Sequence, residues 1–97
     1  MTRSIHREAE KDLIAAFRYY QSAAGSGIAK RFLDDIERVA RLIEESPAIG
    51  ALGENNRRNH PLSVFPYTII YRQTATGVRI LVVRHQHRHP DFGAHRR

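Results

Sequence analysis

The fold of this chain is decided by two neighbouring stretches, FPYTIIYR at residues 65–72 and RILVVRHQHR at residues 79–88. Both are rich in β-branched and aromatic residues, and the short segment TATG at residues 74–77 lies between them. Such runs around a short turn predict the two strands of a β-hairpin. The second stretch passes from apolar residues into a cluster of arginine and histidine side chains, which it should deliver to one rim of the sheet. We expect that rim to act on an anionic partner.

The composition indicates one small domain that spans residues 1–97. A chain of 97 residues supports a single core, and a hydrophobic content of 41% is sufficient to fold it. The formal net charge is +6 at pH 7 before any histidine is protonated. This surplus favours an acidic partner, either nucleic acid or an acidic protein.

Several classes of protein are excluded by residues that the sequence lacks. Cysteine is absent, so the chain has no disulfide framework, thiolate nucleophile or cysteine-based zinc site. No apolar run approaches the ~20 residues needed to span a bilayer. The N-terminus also lacks the long apolar core of a signal peptide. The expectation is a cytoplasmic protein without a membrane partner.

Two amphipathic helices are predicted before the hairpin, over residues 7–24 and 27–46. In each, apolar residues recur at intervals of three and four, which places them on one face. Gly25 suits the left-handed position after a helix end, Ser26 suits the N-cap of the next helix, and Ser46-Pro47 should end it. The two apolar stripes are Ala9, Leu13, Ala16, Phe17, Tyr20 and Ala24, and Ile28, Phe32, Ile36, Val39 and Ile43.

The remaining segments complete the prediction of the fold. Residues 2–6 are interpreted as a short edge strand in which Ser4 could cap the first helix, and Arg57 to Leu62 as a short strand. The last segment, from His89 to Arg97, is predicted to be a mobile polar tail. The order strand, helix, helix, strand, strand, strand predicts a two-layer α+β domain. In it the N-terminal helical hairpin packs on a three- to four-stranded, mainly antiparallel sheet.

The candidate functional residues are the cationic and imidazole groups at the strand ends, namely Arg72, Arg84, His85, His87 and Arg88. Their charges suit either an acidic protein surface or a phosphate backbone. The same groups, with Arg58 and His60, could also cleave RNA without a metal, since imidazole transfers protons near neutral pH and guanidinium stabilises a charged phosphorane. A merely solvated surface is the simpler alternative. Alternation along a strand would place His85, His87 and His89 on one face and Arg84, Gln86 and Arg88 on the other.

Other roles remain open for some of these residues. Arg72 could instead pair with Asp12 or Glu37, and the two tyrosines at positions 67 and 71 share a face that favours core packing. The spacing of His85, His87 and His89 could hold a metal from one strand face. Because no carboxylate or cysteine accompanies them at ligand spacing, we expect neither a metal nor a cofactor.

Four segments together resemble the RelE/ParE superfamily of toxins from bacterial type II toxin–antitoxin systems. They are AEKDL at residues 9–13, AKRFLDDIE at residues 29–37, and the two hairpin stretches at residues 65–72 and 79–88. The resemblance spans almost the whole chain and is nearest to the ParE-like branch, often called plasmid stabilisation proteins. In that branch an aspartate commonly follows two basic positions near the end of the last strand. Here His87 and Arg88 hold those positions, His89 comes next, and Asp91 follows two residues later.

The resemblance implies a toxin that arrests growth and forms a hetero-oligomer with a cognate acidic antitoxin. ParE-like members act on DNA gyrase, which would make Arg72, Arg84, His85, His87 and Arg88 target-binding residues of a protein that is not an enzyme. RelE-like members cut mRNA on the ribosome, which would make the same residues catalytic and the chain a metal-independent endoribonuclease. A third alternative is a non-toxic remnant of the fold that only binds its antitoxin. The short N-terminal edge strand is where we expect the antitoxin to pair.

Overall fold

The computed structural model describes residues 2–97, which form two helices and a five-stranded sheet. The two-layer α+β class is therefore confirmed, with more strands than the three or four predicted. The elements are β1 (Thr2–Ile5), α1 (Arg7–Ala24), α2 (Ser26–Glu45), β2 (Ala51–Leu52), β3 (Arg57–Pro61), β4 (Tyr67–Gln73) and β5 (Gly77–His85). Both helices lie within one residue of their predicted limits, because the apolar periodicity that defines them is strong.

The caps of the helices differ from the sequence prediction. His6, rather than Ser4, caps α1, since its Nδ1 accepts a hydrogen bond of 3.0 Å from the N–H of Glu8. Gly25 lies between the helices with φ 90°, a backbone conformation that favours glycine. Ser26 is already the first residue of α2 and does not cap it.

The helices cover one face of the sheet, where the main core lies. Phe32, Val39 and Ile43 of α2 are fully buried against strand residues such as Ile69 and Tyr71. Tyr67 packs against the same cluster, so the prediction that both tyrosines serve the core is confirmed. The sheet thus has a face covered by helices and a second face, here called the open face.

The strand order is β1-β5-β4-β3-β2, which puts the last strand near the middle of the sheet. β1 pairs with β5 in parallel, and the other pairs are antiparallel. The parallel pair requires a close approach at Gly77, where an added Cβ would lie 1.8 Å from the carbonyl oxygen of Thr2. β1 is an edge strand, as predicted.

A β-bulge interrupts the pairing of β4 with β5. Ile70 opposes Val82 and Tyr71 opposes Ile80, which leaves Leu81 as the extra residue. Leu81 and Val82 consequently share the open face, where they form a small apolar cluster with Ile70. The open face therefore has an apolar centre.

Two buried polar groups tie the loops to this frame. The hydroxyl of Tyr71 donates to the carbonyl of Pro47 at 2.7 Å and accepts from the N–H of Gly50 at 3.0 Å. The carboxylate of Asp35 accepts from the N–H of Val64 at 3.0 Å and from Arg38 at 3.2 Å. Burial alone would raise the pKa of Asp35, but these hydrogen bonds outweigh it and hold the pKa below its usual value.

The C-terminal segment is not the mobile tail that was predicted. It folds back over the open face, and Phe92 packs against the apolar cluster there. Arg96 forms a buried ion pair with Asp12 of α1, in which its Nη1 and Nη2 lie 2.6 and 3.3 Å from the two carboxylate oxygens. The second partner of Asp12 is the N–H of Val83 at 3.1 Å, so one carboxylate joins α1, β5 and the C-terminal segment.

Candidate functional site

The five predicted site residues do not meet at one rim. Arg72 lies at the end of β4 and opposes Arg79, whereas Arg84 opposes Thr68 at the start of β4. Four residues of strand separate these two levels, which is about 13 Å. The prediction of a single rim is wrong for Arg72, because an antiparallel hairpin places the ends of its two strands at opposite ends of the sheet.

The expected pairing of Arg72 with Asp12 or Glu37 is also wrong. Asp12 pairs with Arg96, as described above, and Glu37 accepts from Arg3 at 2.7 Å. Arg72 instead lies half-buried beside Arg57 on the open face, where the two residues are paired across β3 and β4.

The predicted alternation beyond Arg84 fails because β5 ends at His85. Residues 86–88 form a turn, closed by a hydrogen bond of 2.9 Å from the N–H of Arg88 to the carbonyl of His85. The N–H of His87 donates to Nδ1 of His85 at 3.0 Å. His85 and His87 lie together for this reason, and not because of strand periodicity.

The end of β5 forms a compact surface, here called the strand-end surface, made of Tyr19, Tyr67, His85, His87 and Arg88. The ring of His85 stands edge-on to Tyr67 and to His87, with centroids 5.1 and 5.3 Å apart. Arg88, Tyr19, Tyr67 and His85 line a depression of about 330 Å³ that opens beside α1. Burial, followed by the neighbouring Tyr19, raises the pKa of Tyr67, which therefore stays a neutral hydrogen-bonding group at physiological pH.

A second cationic group lies on the open face, where Arg57, Arg72 and Arg84 meet the C-terminal segment. Arg57 donates to the carbonyls of Gly93 and Ala94, each at 3.1 Å, and Arg84 donates to the carbonyl of Pro90 at 3.0 Å. Burial lowers the pKa of Arg57, and the charges of Arg96 and Arg84 lower it further. This is a region of concentrated positive charge.

Arg57 and Arg96 were missed as site residues. The sequence predicts a strand that begins at Arg57. The pairing of Arg57 with Arg72 on the neighbouring strand is the signal that would have placed both side chains on the open face. Arg96 gave no local signal, since its partner Asp12 lies 84 residues away.

The arrangement separates imidazoles from most of the guanidiniums. His85 and His87 lie at the strand-end surface beside α1, whereas Arg57, Arg72 and Arg84 lie on the open face. Within residues 2–97, no three histidine, aspartate or glutamate side chains are grouped so that they could hold a metal ion. Across the same residues, neither helix is both long and apolar enough to cross a membrane.

An apolar groove runs along β1 on the helical side of the molecule. Ile5 of β1, Leu13 of α1, Leu33 and Ile36 of α2 and Ile80 of β5 line a depression of about 440 Å³. Leu33 is 37% exposed there. The groove lies next to an edge strand whose outer side is unpaired within the described chain, and such edges are open to strand addition.

Comparison with known proteins identifies relatives over nearly the whole chain. Residues 4–90 match the family model of the ParE toxin of the type II toxin–antitoxin system parDE. The toxin ParE2 of Mycobacterium tuberculosis, in strains CDC 1551 and H37Rv, is 33% identical over 87 residues, which are 90% of this chain and 83% of the relative. A solved structure of the chromosomal ParDE system from P. aeruginosa superposes with a TM-score of 0.77 at 23% identity, over 88% of this chain and 95% of that chain. The resemblance to the ParE-like branch is thereby confirmed, and this chain belongs to the ParE toxin family of type II toxin–antitoxin systems.

Proposed function

We propose that this ParE-family toxin inhibits DNA gyrase by binding it through the strand-end surface, and that a cognate acidic antitoxin holds it inactive. The observation that carries the proposal is the exposed group His87 and Arg88, fixed by the turn at the end of β5 beside Tyr67 and His85. Arginine and tyrosine are the residue types that most often dominate the energy of protein interfaces. A rigid strand end presents them with little loss of conformational entropy.

The separation of imidazoles from guanidiniums supports a binding role over RNA cleavage. A metal-independent ribonuclease needs its proton-transfer groups and its stabilising cations around one phosphate. Here, among residues 2–97, Arg88 is the one arginine that accompanies His85 in lining the strand-end depression, together with Lys11, and Arg72 and Arg84 contribute to the open face instead. Of the five candidate residues, we therefore propose His85, His87 and Arg88 as the target-binding set.

The antitoxin is proposed to occupy the groove along β1. The groove offers Leu13, Leu33 and Ile36 to an apolar face of a partner, and the edge of β1 offers free backbone groups. A net charge of +6 complements an acidic segment that folds as it binds. Co-expression with the adjacent gene should rescue growth and yield a co-purified complex.

The target is tested by a supercoiling assay with purified gyrase. The parent should inhibit supercoiling, and Arg88→Ala should weaken inhibition at least about tenfold, as expected for truncation of a central interface arginine. Arg41→Ala is the matched control, because Arg41 is an exposed arginine on α2 whose ion pair is with Glu37, at 3.6 Å. If Arg88→Ala and Arg41→Ala lose inhibition equally, the inhibition depends on the net charge of the protein and not on the strand-end surface.

The alternatives give distinct outcomes in the same experiment. In a gyrase-binding toxin, His85→Ala and His87→Ala should reduce affinity in a graded way. In a ribosome-dependent endonuclease, loss of the catalytic imidazole should reduce the rate about 10²–10⁴-fold with target binding retained. Rapid loss of mRNA with normal supercoiling would replace the gyrase proposal by cleavage. Normal growth and normal supercoiling with antitoxin binding retained would indicate the non-toxic remnant.

A further inference from the structure

The C-terminal segment lies on the open face as a peptide lies in a binding groove. The two terminal nitrogens of Arg57 donate to the carbonyls of the consecutive residues Gly93 and Ala94, at 3.1 Å each. Arg84 donates to the carbonyl of Pro90 at 3.0 Å. Two arginines of the sheet thus hold the backbone of residues 90–94.

Phe92 is the apolar anchor of this segment. Its ring packs on the open-face cluster of Ile70, Leu81 and Val82. The guanidinium of Arg88 lies 4.5 Å from the ring centroid and that of Arg96 lies 5.0 Å from it. An aromatic side chain between two cations on an apolar floor is a well-defined subsite.

Residues 90–94 fit the shape of this site, but they do not neutralise the positive charge of its arginines. Among the ion pairs of residues 2–97, none involves Arg57 or Arg84. The Nε atoms of Arg57, Arg84 and Arg96 are buried without a hydrogen-bond acceptor, although buried donors are nearly always paired. Asp91, the one acidic residue of the segment, lines the same depression as Arg57 and Arg84 but forms no ion pair with them; its side chain is 86% exposed and lies 3.7 Å from His89. Neutral carbonyls therefore occupy places that carboxylates would fill with stronger, charge-assisted hydrogen bonds.

We propose that the open face is a binding site for an acidic peptide with one aromatic anchor, and that residues 90–94 occupy this site in the free protein. The aromatic residue of the peptide takes the place of Phe92, and its carboxylates replace the carbonyls at Arg57 and Arg84. This site shares Arg88 with the strand-end surface, but its contacts at Arg57, Arg84 and the open-face apolar cluster take no part in the proposed gyrase binding.

The chemistry of the site favours a peptide over a nucleic acid. The acceptors now bound to Arg57 are spaced as consecutive peptide carbonyls, and the floor beneath Phe92 is apolar. A phosphodiester chain gains nothing from this floor, because Ile70, Leu81 and Val82 offer its charged oxygens no hydrogen-bond donor.

Gly93 offers a way to open the site without touching its cations. It adopts φ 75°, and an added Cβ would lie 2.6 Å from Cγ2 of Val82. Gly93→Ala therefore strains the closed form alone. A ligand that must first displace the segment binds with its intrinsic affinity multiplied by the open fraction, so destabilising the closed form raises the apparent affinity.

The test uses a labelled synthetic dodecapeptide of glutamate and glycine with one central phenylalanine. Its binding to the purified full chain is measured by fluorescence anisotropy. Gly93→Ala should bind this peptide about 5- to 30-fold more tightly than the parent, which corresponds to the usual cost of a left-handed alanine. Gly27→Ala is the matched control and should bind like the parent, because no atom lies within 4 Å of its added Cβ. Phe92→Ala loosens the segment without backbone strain and should also bind the peptide more tightly. This variant keeps the test decisive if Gly93→Ala does not fold.

Three further measurements locate the bound peptide. Arg57→Ala combined with Arg84→Ala should lose at least about tenfold in affinity, since it removes two charged hydrogen bonds. Peptides with glutamine for glutamate, or alanine for phenylalanine, should each bind more weakly than the parent peptide. Binding should also expose residues 90–94 to hydrogen exchange.

The proposal is overturned by any of three results. Equal affinity of the parent, Gly93→Ala and Phe92→Ala would show that the segment does not cover the site. Tighter binding of a single-stranded oligonucleotide than of the peptide would make the face a nucleic-acid site. A dimer of Gly93→Ala that exchanges C-terminal segments would make a second copy of the chain the ligand.

Discussion

The ion pair between Asp12 and Arg96 should be among the most stabilising contacts of the domain. Both side chains are buried, with 10% and 8% of their surface exposed, and the guanidinium approaches both carboxylate oxygens. Asp12→Ala leaves the charge of Arg96 without its partner and the N–H of Val83 without its acceptor. Removal of one partner of a buried pair costs about 3–5 kcal/mol. The total stability of a small domain is about 5–15 kcal/mol, so the loss would be a large share of it.

The assay is urea unfolding of the parent and the variant, analysed by linear extrapolation. Asp12→Ala combined with Arg96→Met should recover part of the loss, because an apolar side chain can replace a buried ion pair at little cost. The double variant should therefore be less destabilised than Asp12→Ala, and its remaining loss comes from the unpaired N–H of Val83 and from the carbonyl of Leu81, which no longer accepts from Arg96. Arg41→Ala, which breaks an exposed pair on α2, is the control and should change stability by less than about 1 kcal/mol. The reasoning is refuted if Asp12→Ala is no more destabilising than Arg41→Ala, or if the double variant is no more stable than Asp12→Ala.

Three other perturbations follow from contacts in the fold. Tyr71→Phe should lower the unfolding free energy by about 1–3 kcal/mol, because it leaves two buried backbone groups without their partner; an unchanged urea midpoint would contradict this. The pKa of Asp35 is lower in the folded state than its ordinary value of 3.8, so its contribution to stability is present above that value and is lost as pH falls through the folded pKa. Asp35→Asn should consequently show a smaller loss of stability on acidification than the parent, and parallel pH profiles of thermal unfolding would disprove the assignment. Gly77→Ala should detach β1, because its Cβ cannot fit against the backbone of that strand; rapid hydrogen exchange confined to residues 2–6 is the expected result, and unchanged protection there would exclude it.

The sequence predicts the elements that depend on local periodicity. The helices and the hairpin follow from stripes such as Ile28 to Ile43 and from the β-branched runs, so their limits agree closely with the structure. β1 was placed as an edge strand, but four residues carry too little pattern to reveal that it pairs in parallel with β5. The two residues of β2 also carry too little pattern to predict a strand.

The candidate site was less predictable because it depends on contacts distant in sequence. The types and positions of Arg84, His85, His87 and Arg88 indicated a basic strand end, but their orientation depends on the residue at which β5 ends. The bulge at Leu81 changes which residues of β5 lie on the open face. The regular alternation of side chains along a strand does not predict such a bulge. The docking of the C-terminal segment depends on Asp12, at the other end of the chain.

The position of β5 in the sheet bears on how the toxin is made. This strand contacts β1, β4 and α1, yet it spans residues 77–85 of a chain of 97. A ribosome has therefore produced most of the protein before the strand that joins both sides of the sheet exists. Pairings between residues so far apart close late and slow folding, because their loop entropy is lost before the contacts form. A nascent toxin should thus remain incompletely folded until synthesis is almost finished, which gives an antitoxin time to meet it as it folds.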